Sequence, residues 1–171
     1  MAEGIFIFGT RRTIKDKIKS KLKLLRDRID ANERDGRSPV FGDKTPFAVA
    51  KVEDVIKRHA AANDITIAGN VLCMSEDKLL HAVRTAKQNA NKAVSEDDIA
   101  NFPKNISRMD LYFDKAKNNY VYVQGFNKFV VEPNYKVKMS NGKIRSVLII
   151  TIDKVNGVGQ YSNGNQYIKL K

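Results

Sequence analysis

The residues of this sequence that are best suited to chemistry lie on one predicted helix, over residues 74–90. Ser75 is a preferred N-cap residue, and the two acids that follow it favour the start of a helix. At about 100° per residue, His81, Arg84 and Gln88 share one face, opposite an apolar stripe. An imidazole transfers protons near neutral pH, and a guanidinium holds phosphate oxygens through its planar fork. The alternative is a solvated helix surface, which is the usual reason for charge on a helix.

The composition narrows the class of partner. A chain of 171 residues that is 42% hydrophobic can bury one core, so a single domain with an extension is expected. Its 31 basic and 19 acidic residues give a formal charge of +12, which attracts polyanions before specific contacts form. Nucleic acid is therefore the leading partner class. With two histidines and the single Cys73, neither an internal disulfide nor a soft-metal cluster can form, and no metal or cofactor is predicted.

A basic amphipathic helix is predicted near the start of the chain, over residues 10–34. Its apolar residues recur at spacings of three and four, at Ile14, Ile18, Leu22, Leu25 and Ile29. The cations predicted to bind nucleic acid or a partner are Arg11, Arg12, Lys15, Lys19, Lys23 and Arg26. The alternative is a helix that packs its stripe on the domain or on a partner helix. Membrane binding is not expected, because the stripe has no aromatic residue. The Gly and Pro residues that follow place the boundary of this arm at residue 44.

The predicted main domain, residues 45–171, begins with helices. Thr45 and Pro46 are suited to the N-cap and first position of a helix that continues to Ala62. His59 lies near the end of this helix, where capping is a better explanation than catalysis. Short strands are predicted over residues 65–67 and 71–73, and a short helix is predicted to start at Ser95 and to stop at residues 102–103.

From Met109 onward the apolar residues alternate, which predicts strands. A hairpin is expected from residues 109–113 and 120–123. Further antiparallel strands are expected over residues 128–131, 135–138 and 145–152, with Asn141-Gly142 as a hairpin turn, and a last strand over residues 167–170. The continuous apolar run at residues 147–150 indicates a central strand covered by helices. Helices followed by an antiparallel sheet predict an α+β domain.

Several motifs follow one another along the chain: His81-Ala82-Val83-Arg84 with Lys87, the acidic helix start 95–99, the strand pair 111–114 and 120–123, and the segments 129–136 and 149–155. Together they resemble the phage-associated members of the ribonuclease superfamily that groups barnase, EndoU, colicin D and RelE. The resemblance covers about residues 65–155. It implies N-terminal helices packed on a four- to five-stranded antiparallel sheet, in a nuclease-like domain that is carried by phage genes and attached to head or portal proteins.

Metal-independent RNA cleavage needs a base for the 2′-hydroxyl, an acid for the leaving oxygen and cations for the developing charge. We expect His81 to transfer the proton and Arg84 to hold phosphate, and Thr151 matches a hydroxyl position in the family motif. The predicted substrate-binding residues are Lys87, Lys136, Lys138, Arg145 and Tyr161. A solvated strand edge is the alternative for the two strand lysines, and a packing anchor is the alternative for Tyr161. The sequence assigns neither a barnase-like carboxylate base nor a second catalytic histidine.

These residues predict a phage-encoded endoribonuclease or toxin-like effector that cleaves host RNA, such as tRNA, by transesterification. It is expected in the virion, in the bacterial host cytoplasm, or in both. The alternative is a non-catalytic virion or head protein that uses the same fold to bind nucleic acid or portal proteins. The candidate partners are therefore RNA, virion, portal or head proteins, and an immunity protein, whereas a membrane is not among them.

Overall fold

A seven-stranded sheet organises the residues that the computed structural model describes, which are 11–36, 40–155, 157 and 159–171. Its strands are β1 (Phe47–Lys51), β2 (Val71–Met74), β3 (Asp110–Asp114), β4 (Asn119–Gln124), β5 (Asn127–Met139), β6 (Gly142–Lys154) and β7 (Tyr167–Lys169). The order is β1-β2-β6-β5-β4-β3-β7, with β2 parallel to β6 and the other neighbours antiparallel. The predicted α+β class is confirmed, but the sheet is mixed and larger than the four to five antiparallel strands expected.

Helices cover one face of this sheet. They are α1 (Arg11–Asp35), α2 (Asp54–Ala62), α3 (Glu76–Val83), α4 (Thr85–Asn89), α5 (Glu96–Ala100) and α6 (Phe102–Asn105). Alternate strand residues such as Leu111, Tyr122 and Val131 are buried in one cluster with the helix residues. Because successive strand side chains point to opposite faces, Val121 and Val130 lie on the other face. The predicted central strand is confirmed, since β6 lies between β2 and β5.

The basic helix predicted near the start of the chain is α1, and its stripe is part of the main core. Ile18, Leu22 and Leu25 are fully buried in the cluster that also holds Leu79 and Phe102. The apolar stripe of α1 therefore packs on the domain, which is the alternative given above to a helix that serves only for binding. The helix therefore contributes apolar surface to the sheet domain as well as charge.

The predicted helix over residues 45–62 is wrong in its first half. Residues 47–51 form β1, which pairs antiparallel with β2, and Glu53 takes the N-cap position of α2. Thr45 instead donates its backbone N–H to Asp43 Oδ1 at 2.9 Å. The valines and Phe47 fit a strand as well as a helical stripe, and pairing with β2 decides between the two.

Two further boundaries differ from the prediction. Residues 65–67 form no strand, although Ile65 and Ile67 pack against the core. The two strands predicted over residues 128–138 are one strand, β5, whose register shifts between Glu132 and Tyr135. Pro133 lies at this irregularity. Because proline has no N–H to donate to the ladder of hydrogen bonds, the regular pairing is interrupted there. The uninterrupted strand lengthens the β5–β6 hairpin.

Candidate functional site

The helix predicted over residues 74–90 starts as expected but is interrupted at Arg84. Ser75 is the N-cap of α3, and its Oγ accepts a hydrogen bond from the Lys78 backbone N–H at 3.3 Å. Arg84 is extended, with φ −63° and ψ 150°, and its carbonyl accepts the Lys87 N–H at 3.0 Å in the next helix. His81 is therefore in the last turn of α3, and Arg84 forms the junction between α3 and α4.

Both ring nitrogens of His81 face charged groups. Arg84 Nη1 is 3.4 Å from His81 Nδ1, and Asp77 Oδ1 is 4.0 Å from Nε2. A guanidinium cannot accept a hydrogen bond, so this contact favours the tautomer in which Nδ1 carries the lone pair and Nε2 carries the proton that faces Asp77. The side chain of His81 is 54% exposed. These three residues form an Asp77–His81–Arg84 line at the surface of α3.

The surroundings keep the imidazole of His81 neutral. Partial burial lowers its pKa most; Asp77 raises the pKa, and the cations Arg84, Lys78 and Lys87 lower it. The net direction is downward from the ordinary value of 6.5. A neutral imidazole with an accepting Nδ1 is the form that a general base requires near neutral pH.

Lys87 is held against β6 by two contacts. Its ammonium donates to the Ile152 carbonyl at 2.7 Å and lies 3.8 Å from Asp153 Oδ2. Burial is the main cause that lowers its pKa; Asp153 opposes the shift, and the positive charges of Arg84 and Lys128 add to it. Arg84 and Lys128 are therefore near enough to Lys87 for their charges to act on it, and we call the three residues the cationic band.

A depression of about 170 Å³ lies on the face of the sheet opposite the α-helices, next to this band. Three of its lining residues are Lys128, Thr151 and Tyr161. Tyr161 stacks on Tyr112, with ring centroids 4.9 Å apart, and meets Tyr167 edge to face at 4.7 Å. Burial raises the pKa of Tyr161 strongly, so its hydroxyl stays protonated. The depression thus offers a cation, a hydroxyl and a fixed aromatic side chain.

Asp114 and Asn119 also line this depression, and both are buried. Asp114 Oδ1 already accepts hydrogen bonds from the backbone N–H groups of Ala116 and Lys117 and from Gln166 Nε2. Its carboxylate therefore stabilises the β3–β4 turn. Asn119 Oδ1 has no hydrogen-bond partner in the part of the chain that the structure describes.

The other predicted substrate-binding residues lie elsewhere. Lys136, Lys138 and Arg145 are exposed on the outer half of the β5–β6 hairpin. The two lysines line a separate depression of about 280 Å³, together with Asp77 and Lys78. The structure therefore brings His81, Arg84 and Lys87 together, places Thr151 and Tyr161 together, and separates the hairpin cations from Thr151.

Acidic partners occupy part of the predicted cationic arm. Lys19 is 2.9 Å from Asp97 on α5, and Arg26 Nε is 3.9 Å from Glu96. Lys23 is 3.0 Å from Asp27, one turn along the same helix. Lys15 lies near enough to Asp97 to help lower the pKa of that carboxyl, after the larger effect of Lys19. The side chains of Arg11 and Arg12 lie outside the described residues.

Sequence reasoning missed three residues of the candidate site. Asp77 is four positions before His81, and this spacing on a helix could have indicated the contact. Lys128 and Asp153 face each other across β5 and β6. That pairing depends on strand register, for which no local signal exists.

Comparison of the chain with protein-family models, with curated proteins and with solved structures gives no match. The family resemblance therefore remains a prediction from the motifs. No described helix has the length and hydropathy that crossing a membrane requires. Within the same described ranges, no group of three or more His, Cys, Asp or Glu side chains is arranged to hold a metal ion.

Proposed function

We propose that this protein is a phage-encoded, metal-independent endoribonuclease of the barnase, EndoU, colicin D and RelE superfamily. It acts as a toxin-like effector on host RNA such as tRNA, from the virion or in the host cytoplasm. The observation that carries the proposal is the Asp77–His81–Arg84 line beside the cationic band. The superfamily assignment rests on the motif order, and helices packed on one sheet face agree with it.

The residues have distinct roles in the proposed reaction. RNA binding draws Arg84 from Nδ1 of His81 to the phosphate, which frees the imidazole lone pair. The imidazole then takes the proton of the 2′-hydroxyl, and the 2′-oxygen attacks phosphorus while the bond to the 5′-oxygen breaks. Arg84, Lys87 and Lys128 stabilise the charge of the phosphorane. Water protonates the leaving 5′-oxygen, since the half-exposed His81 leaves the site open to solvent.

Thr151 and Tyr161 supply substrate contacts in this proposal. The hydroxyl of Thr151 donates to phosphate or sugar oxygens, and Tyr161 stacks on a base next to the scissile bond. A stacked contact with Tyr112 and an edge contact with Tyr167 fix the orientation of this tyrosine, so it loses little conformational freedom when a base binds.

A second candidate function is a non-catalytic virion or head protein that binds nucleic acid or portal proteins. The observation that favours it is the exposure of His81, because efficient proton transfer is usually found in clefts that exclude water. Both functions use the same cationic surface, so an assay of RNA binding cannot distinguish them, whereas an assay of RNA cleavage can.

The test is cleavage of tRNA by purified protein in EDTA, with the cyclic phosphate end group identified in the products. The variants are His81→Ala and Arg84→Ala, and the matched control is Lys104→Ala, an exposed cation on α6. We expect His81→Ala to slow cleavage by about 10²–10⁴-fold and the control to have no effect. RNA binding without cleavage by the wild-type protein would favour the second candidate, and cleavage that both site variants leave unchanged would refute the assigned roles.

A further inference from the structure

The outer half of the β5–β6 hairpin carries two pairs of like charges. Lys136 is directly opposite Arg145, and Lys138 is directly opposite Lys143. Residues that are opposite each other, or two apart along a strand, share one face, so all four cations lie on the same side of the ribbon. Like charges that face each other across a hairpin lower its stability. This arrangement therefore has a folding cost.

Packing does not require these cations. The opposite side of the ribbon is its apolar side, where Val137 is buried with Cys73 and Leu148. The four cations are exposed, and none has an acidic ion-pair partner among the residues that the structure describes. Arg145 donates a hydrogen bond to the Asn134 carbonyl at 3.2 Å, which does not neutralise its charge. The hairpin thus keeps an unneutralised cationic face. Binding of an external anion would reduce the repulsion between its four cations.

This cationic face continues towards the candidate active site. The depression of about 280 Å³ beside it is lined by Lys44, Lys78, Lys136 and Lys138. Asp77 lines the same depression, and its carboxylate is 4.0 Å from His81 Nε2. The depression therefore links the hairpin lysines to Asp77, the carboxylate that faces His81.

The chemistry of the face indicates which part of a nucleic acid it binds. Two residues along a strand are separated by about 6.8 Å, which is comparable to the separation of successive phosphates. None of the four paired residues is aromatic, so the face cannot stack unpaired bases as a single-strand binding surface does. Tyr135 lines the same depression, but it packs on the apolar side of the ribbon, and the Lys78 ammonium lies 5.0 Å from its ring centroid. The four cations are therefore suited to contact the phosphate backbone, which carries no base sequence. A duplex, whose bases are already stacked and paired, is the form of RNA that such a face suits.

We propose that the outer hairpin is a second binding surface, which holds the phosphate backbone of an RNA duplex while an adjoining unpaired segment enters the His81 site. The proposal rests on the proposed function for the identity of the polymer. It adds the class of substrate: RNA in which a stem adjoins a single-stranded region. The stem supplies affinity through the hairpin, and the unpaired segment supplies the scissile phosphate.

The test uses fluorescence anisotropy with three labelled RNAs: a blunt duplex, a stem-loop and an unpaired strand of equal length. Binding is measured in the His81→Ala background, so cleavage does not interfere. Replacement of all four cations by alanine should weaken duplex and stem-loop binding at least tenfold. It should also reduce the slope of log Kd against log salt by roughly three to four. Binding of the unpaired strand should change little, and a matched Lys57→Ala/Lys104→Ala variant should bind all three RNAs normally.

A charge-reversal variant separates binding from structure. Lys136→Glu and Lys138→Glu together create opposite-charge pairs with Arg145 and Lys143, so the protein should unfold at a higher denaturant concentration. The same variant should bind the duplex at least tenfold more weakly than the wild-type protein does, because the two reversals cancel the charge of Lys143 and Arg145. Greater stability with weaker duplex binding is a result that a purely structural role cannot produce.

Three results would overturn the proposal: unchanged duplex affinity, equal losses in the Lys57→Ala/Lys104→Ala control, or binding of anionic lipid vesicles in preference to RNA. Failure of the proposed function is seen separately, as absence of cleavage by the wild-type protein. Loss of duplex binding in the hairpin variants together with that absence would retain the binding surface and reject the ribonuclease. Cleavage by the wild-type protein with unchanged duplex binding in the hairpin variants would retain the ribonuclease and reject the binding surface.

Discussion

The packing of α1 on the sheet makes a quantitative prediction about Leu22. Its side chain has 0% exposure and lies in the cluster that also holds Leu79 and Phe102. Replacement by alanine removes apolar contacts and leaves a cavity that neighbouring side chains only partly fill. For a fully buried leucine the expected loss is about 3–5 kcal/mol in the free energy of unfolding. That loss is a large fraction of the total stability of a typical domain, roughly 5–15 kcal/mol.

The same helix provides the control. Leu24 is 45% exposed, and Leu24→Ala keeps a good helix former at a position outside the core. We expect a change of under about 0.5 kcal/mol for this variant. Urea denaturation followed by far-UV circular dichroism measures both values. Equal effects of the two substitutions, or a loss under about 1 kcal/mol for Leu22→Ala, would show that α1 does not pack on the sheet as described.

Two further predictions concern α3. Titration of His81 by NMR should give a pKa below the ordinary histidine value; Arg84→Ala should raise this pKa by removing a positive charge, and Asp77→Asn should lower it. Because the folded protein disfavours protonated His81, this residue's contribution to stability should fall as the pH drops below the ordinary histidine pKa. Changes in the His81 pKa of the opposite sign in the two variants would contradict the assigned contacts. Gly42→Ala places a Cβ 2.6 Å from the Asp77 backbone nitrogen, so it should destabilise the protein by about 1–3 kcal/mol in denaturant titrations. Gly164→Ala, which meets nothing within 4 Å, is its control, and equal stabilities would refute the close approach.

Local signals predicted those elements whose stabilising contacts are also local. The start of α3 was predictable because Ser75 caps its own helix, and the hairpin turn at Gly142 was predictable because φ there is +144°, which favours glycine. The apolar stripe of residues 10–34, with its spacings of three and four, likewise predicted the helical character of α1. For the candidate site, the contact between His81 and Arg84 follows from helical spacing, although Arg84 lies just beyond the end of α3.

Non-local pairing explains what the sequence could not predict. Residues 47–51 have a pattern that suits a helix or a strand, and only the partner strand β2 selects the strand. The parallel pairing of β2 with β6 joins residues that are far apart in sequence, as Leu72 and Val147 show. The approach of Lys128 to Lys87 depends on the same sheet register together with the break at Arg84. Tertiary contacts of this kind leave no periodic signal in the chain.

The distribution of paired and unpaired charge separates the two basic regions of this protein. On α1, Lys19 and Arg26 face acids of α5, so much of the positive charge that the sequence suggests for the arm is balanced internally. On the outer hairpin, Lys136 and Arg145 face each other, and neither has an acidic ion-pair partner in the part of the chain that the structure describes. Internal neutralisation weakens the field that draws a polyanion, whereas an unneutralised pair strengthens it. We therefore expect a polyanion, such as the RNA of the proposed function, to bind the hairpin in preference to α1.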